Sequence, residues 1–135
     1  MIVLITRLVS LILLAVAITQ KSYQLDNGNP AGDGTATFFM GWLGVFYGGA
    51  GLCWLANPIG VASALMMRSY PLIALLASAF ALIIALAFLC FDKVVANEAP
   101  TYAKIIGYKA GYWLWIGSMA VLFTGNLLSY FSTKP

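Results

Sequence analysis

Between Thr37 and Phe91 the chain carries a single charged side chain, Arg68. A bilayer core about 30 Å thick takes roughly 20 apolar residues per helical crossing, so this stretch has room for two. Only 8% of all residues are charged and 62% are hydrophobic, whereas soluble domains carry about 25% charged residues. The expected solvent is lipid. No composition shift or internal period marks a linker, so residues 1–135 read as one integral membrane domain. The net charge of +3 is spread over separate loops and ends, which argues against nucleic acid and makes membrane lipids the natural partner.

Four apolar segments follow from length, at about 2–19, 37–67, 71–91 and 112–131. The fold class expected is an all-α membrane protein, a four-transmembrane-helix bundle. Outer loops fall at about 20–36 and 92–111. The first, with Asp26-Asn27-Gly28-Asn29-Pro30 and Gly32-Asp33-Gly34, is dense in turn formers and reads as exposed, mobile and non-helical. Arg7, the apolar run Leu8 to Leu14 and Ala15-Val16-Ala17 together have the layout of a secretory signal. The apolar residues Ile2 to Ile5 before Arg7 oppose cleavage, and the segment reads as a retained helix.

Arg7, near the start of the first helix, reads as a membrane anchor extending toward the headgroups, since all four acids lie in loops. Arg68 is the corresponding anchor after the second segment. With four crossings, Arg7, Arg68 and Lys134 share one side while Lys21, Lys93, Lys104 and Lys109 share the other. The count is nearly even, and the early Arg7 places both termini in the cytoplasm of a bacterial inner membrane. Aromatic residues crowd the opposite side: Tyr23, Phe38, Phe39, Trp42, Tyr102, Tyr108, Tyr112, Trp113 and Trp115. Amphipathic rings favour the headgroup level, so Trp42, Trp113 and Trp115 read as interface anchors.

The second segment is too long for a straight crossing. About 31 residues at 1.5 Å each would span about 46 Å. A kink or break is therefore expected at Asn57-Pro58, because proline lacks an N–H and clashes with the carbonyl of Trp54. Carbonyls freed at mid-depth need a partner or a water-lined cavity. Upstream, Gly41, Gly44, Gly48 and Gly51 recur at helical spacing and read as one close-packing stripe. Its expected partners are Ala74, Ala77, Ala81 and Ala85 in the third segment, Ser118, Gly125 and Ser129 in the fourth, or a second subunit.

Little in the sequence points to catalysis. The chain contains no His, its two cysteines Cys53 and Cys90 lie far apart in apolar segments, and no segment holds an interior carboxylate. No cofactor, metal or catalytic residue is expected. Residues 92–111 read as a solvated loop with anchoring charges; the alternative makes them, with the first loop, an outer surface that docks a partner through Tyr102, Ile105, Ile106 and Tyr108 on a short interfacial helix. The reading is a non-catalytic accessory or assembly subunit that packs on another integral membrane protein or on itself. A membrane immunity or regulatory protein and a homo-oligomeric channel or small transporter are the alternatives.

Overall fold

The structure, a computed structural model, describes residues 1–97, 99 and 101–133. Glu98, Pro100 and Lys134, which entered the loop and charge readings, lie outside the described residues. Helix α1 spans Ile2–Thr19 and is followed by strand β1, Tyr23–Leu25. A short helix α2, Gly34–Met40, passes into a 3-10 segment, Gly41–Tyr47. A second 3-10 segment, Gly49–Leu55, runs into α3, Ala56–Met66. Next come α4, Pro71–Ala87, with a last 3-10 turn at Phe88–Cys90, strands β2, Lys93–Val95, and β3, Tyr102–Tyr108, and finally α5, Ala110–Ser132. Among the described residues four helices are long and apolar enough to cross a membrane, at Ile2–Thr19, Gly49–Met66, Pro71–Cys90 and Ala110–Ser132.

Helices α1 and α4 run toward the sheet, and α3 and α5 run away from it. Helix α5 is central, packing along α1 and α4, while α3 pairs with α4 across the tight turn after Met67. Ala74, Ser78, Ala81 and Ala85 form a fully buried stripe on α4. Apolar side chains gain little from leaving lipid for one another, so such small residues allow the close backbone approach that packing requires. Gly125 of α5 lies directly on Thr6 of α1, where any Cβ would overlap the threonine side chain. Polar ties add direction. Ser63 Oγ donates to the Ala74 carbonyl at 2.8 Å, and Asn126 Nδ2 donates to Ser63 Oγ at 2.9 Å, joining α3, α4 and α5. Ser10 Oγ donates to the Ser118 carbonyl at 3.0 Å, joining α1 to α5.

Arg7 does not extend away from the bundle. Its Nε donates to the Ala64 carbonyl at 2.7 Å and its Nη2 to the Leu65 carbonyl at 3.2 Å. These carbonyls belong to the last turn of α3, which lacks intrahelical donors and carries the negative end of the helix dipole. The guanidinium therefore closes a helix end. Arg68 is exposed in the turn beyond it.

The second apolar segment breaks at Gly48-Gly49, upstream of the expected position at Asn57-Pro58. Gly48 has φ +71° and Gly49 φ +58°, a left-handed conformation that glycine adopts without a Cβ penalty. The chain reverses there. Gly41, Gly44, Gly48 and Gly51 are thus not a stripe on one helix: Gly41 and Gly44 lie on one arm of a helical hairpin and Gly51 on the other. The Gly44 backbone rests on that of Gly51, and Gly41 faces the Trp54 indole. Asn57 and Pro58 sit in the first turn of α3, where the 3-10 run becomes α-helix. A residue without an N–H suits that position, because moving from i−3 to i−4 bonding leaves one amide surplus.

The expected outer loops are largely ordered structure. Strands β1, β3 and β2 form an antiparallel sheet in that order, with Tyr23 opposite Tyr108 and Lys93 opposite Lys104. Residues 102–108, read as an interfacial helix, form the central strand. The first loop is not mobile coil: Tyr23 and Leu25 are buried, and Ser22 and Gly32 are tied by a 2.8 Å backbone bond. An irregularity after Gln24 pairs Leu25 with Ile105 and leaves Ile106 exposed.

Gly51→Ala should lower stability by about 1–3 kcal/mol or more, since its Cβ would enter the Gly44 carbonyl. Gly44→Ala, whose Cβ meets Gly51 Cα at 3.3 Å, should lose less. Pro58→Ala, in a helix first turn, should change stability by under about 1 kcal/mol. Unfolding in mixed micelles measures the order. A larger loss at Pro58 than at Gly51 would contradict the hairpin.

Candidate functional site: a cavity at the sheet end

A cavity of about 1130 Å³ opens between the glycine hairpin, the sheet and the sheet-side ends of α1, α4 and α5. It exceeds the roughly 300–1,000 Å³ usual for drug-sized ligands. The hairpin contributes Thr37, Gly41, Gly44, Ala50, Cys53 and Trp54 to the wall. Leu14, Ala17 and Ile18 of α1 close one side, and Asp92 to Asn97 border another. Tyr112 and Trp115 of α5 with Asn57 of α3 lie deeper in the bundle.

The aromatic wall is built by burial, not by an interface belt alone. Phe88 sits at the centre of a ring cluster, with centroids 5.4 Å from Tyr23, 5.7 Å from Tyr112 and 6.1 Å from Tyr108. Tyr108 and Tyr112 meet in a tilted arrangement at 4.8 Å, and Tyr112 meets Trp115 at 5.9 Å. Tilted and edge-on arrangements suit the ring quadrupoles. Trp42 and Trp113 remain exposed as expected of outward-facing rings, whereas Trp115 turns inward.

Several of the polar side chains deeper in this region are engaged. Trp115 Nε1 donates to Asn57 Oδ1 at 2.9 Å, bracing α5 to α3. Tyr112 Oη donates to the Ala85 carbonyl at 2.9 Å, and Trp54 Nε1 to the Phe38 carbonyl at 2.9 Å. Tyr23 Oη donates to the Ala31 carbonyl at 3.3 Å. Burial pushes the Tyr23 phenol above its ordinary range. Burial does the same at Tyr108, reinforced by the nearby Asp92 charge. Both phenols stay neutral at physiological pH.

Gly41, Gly44, Gly48, Gly51, Asn57 and Trp115 meet at the cavity, although the sequence offered them as a packing stripe, a helix break and an anchor. Pro58 lines a smaller apolar groove with Phe38 and Leu65. Arg7 and Arg68 belong to the opposite end. Sequence reasoning missed a wall role for Tyr23 and Lys93, which strand pairing places there, and for Phe88 and Asp92, which lie at and just after the end of α4. Cys53 and Cys90, distant in sequence, both line it, the first buried and the second exposed. No group of three potential metal ligands occurs among the described residues. Comparison with known proteins gives no match to a family model, a curated protein or a solved structure.

Asn57→Leu should lower stability by about 1–2 kcal/mol by leaving the Trp115 indole without its acceptor. Adding Trp115→Phe should recover part of that loss. A double-mutant cycle of unfolding free energies measures the coupling, and strict additivity would show that the brace is not formed.

Proposed function

We propose that the chain is a non-catalytic multi-pass protein of the bacterial inner membrane, an accessory component that holds an apolar guest at its sheet end. The cavity carries this reading. Its apolar wall, with the deeper indole, phenol and amide groups committed to internal bonds, suits a guest that makes few polar demands. The four apolar helices supply the setting, and the sheet would then stand in the periplasm with both termini in the cytoplasm. Arg7 and Arg68 at the end away from the sheet support this orientation.

Association with a larger membrane complex or a second copy is favoured by a separate observation. Helix α1 makes its main contact with α5 and exposes Leu4, Ile5, Leu8, Leu11 and Ile12 along its length. In this reading the accessory role and the guest site occupy different faces of one bundle. Channel or carrier activity has less support, because the side-chain oxygen of Asn57, at the expected break, accepts from the Trp115 indole and braces α3 to α5.

A periplasm-active reporter inserted at the exposed Asn27-Gly28 turn should be active, and one fused after Pro135 should be silent. The reverse pattern would overturn the orientation. Gentle extraction from native membranes should co-purify a stable protein partner or yield a dimer, and a monomer without partners would refute the accessory role.

A further inference from the structure

The two edges of the small sheet differ. Beside β1, the Ser22 N–H donates to the Gly32 carbonyl at 2.8 Å, Lys21 and Asp33 form an isolated β-bridge, and a Cβ on Gly32 would overlap the Tyr23 carbonyl. The chain itself covers that edge. Strand β2 forms the other edge, and two bonds to β3 fix its phase: the Ile105 N–H donates to the Asp92 carbonyl and the Ala96 N–H to the Thr101 carbonyl, each at 2.8 Å. In antiparallel pairing these bonds make Lys93–Lys104 and Val95–Tyr102 the non-hydrogen-bonded pairs, so the N–H and C=O groups of Lys93 and Val95 point away from β3. Among the described residues these outward groups have no hydrogen-bond partner.

The cavity runs along this edge. Its wall takes Lys93, Val94, Val95, Ala96 and Asn97 in succession. Successive strand residues face opposite sides of a sheet, so a pocket on one face would touch only alternate residues. Consecutive lining places the opening at the rim of the strand. Val94 and Ala96 are buried in one core with Ala50, Cys53 and Phe88, whereas Lys93 is exposed and Val95 half-buried. A chain laid beside β2 would meet repeating main-chain donors and acceptors along its length and an apolar wall on one side.

We propose, resting on the reading of the cavity as a guest site, that the guest is an extended segment of a partner protein that adds to β2 as a fourth strand, its alternate apolar side chains entering between the glycine hairpin and Phe88. The edge meets the main-chain demands of such a guest, and the wall meets its side chains. A hydrocarbon tail offers nothing to the outward groups of Lys93 and Val95.

The test uses the full chain with Cys90→Ser in nanodiscs, so that Cys53 alone reports on the cavity. The probes are short fluorescent peptides with valine or leucine at every second position and threonine between, the same peptides N-methylated on one alternate set of residues or on the other, and dodecane. Peptide binding is read by fluorescence anisotropy and cavity occupancy by the rate of Cys53 alkylation. The unmethylated peptides should bind saturably and slow alkylation. Alternate N–H groups of a strand point to opposite edges, so methylation of one set should weaken binding by about tenfold or more and methylation of the other should leave it within about twofold. Val95→Pro removes an outward N–H that the β2–β3 ladder does not use, so the variant should fold and lose peptide binding to a similar degree.

Equal effects of the two methylation patterns, or peptide binding unchanged in folded Val95→Pro, would overturn strand addition. Protection by dodecane without saturable peptide binding would overturn it while leaving an apolar guest site, and protection by neither would refute that site as well. A dimer that Val95→Pro converts to monomer would assign the edge to a second copy and overturn the partner segment. If Val95→Pro fails to fold, the methylated peptides decide on the unmodified edge.

Discussion

The contact on which the sheet end depends is the backbone of Gly44 lying against that of Gly51. Any side chain on Gly51 would push the two arms apart, and in an apolar setting no hydrophobic gain would draw them back. With both residues glycine, the arm before Gly48 folds along the 3-10 run after it. The second apolar segment therefore does two things. Its later half forms a helix of membrane-crossing length, and its earlier half becomes one wall of a cavity.

Directional bonds give this packing a unique register. The Asn57–Trp115 and Asn126–Ser63 contacts tie α5 to α3, and the Arg7 contacts tie α1 to the end of α3. Each joins groups that would be costly to leave unpaired away from water. At the sheet end the restraint is of another kind. Tyr23, Tyr108 and Tyr112 converge on Phe88, so the small sheet is seated on an aromatic core and acts as a lid on the bundle.

These features give the proposed guest site its character. The interior bonds engage the deeper indole and phenol groups, leaving a mostly apolar wall. Helix α1 exposes Leu4, Ile5, Leu8, Leu11 and Ile12 at the end away from the sheet, while its Leu14, Ala17 and Ile18 close one side of the cavity.

The sequence by itself determined the four crossing-length helices, because mean apolarity over some 18 to 20 residues depends on composition and needs no knowledge of contacts. The boundaries of α1 and α5 were close to those expected, and the tight turn at Arg68 followed from the shortness of the connection, Arg68 to Tyr70, between two apolar segments. Tertiary structure decided the rest. The glycine spacing of three and four fits both a continuous helical stripe and two arms of a hairpin, and only the left-handed backbone at Gly48 and Gly49 separates them. Aromatic residues near segment ends fit both an interface belt and a buried cluster, and the pairing of β1 with β3 turned Tyr23 and Tyr108 toward Phe88. The cavity was illegible for the same reason: its wall joins residues from Leu14 to Trp115. Local periodicity carries information over a few turns of chain, whereas a cavity is a property of surfaces brought together by long-range packing.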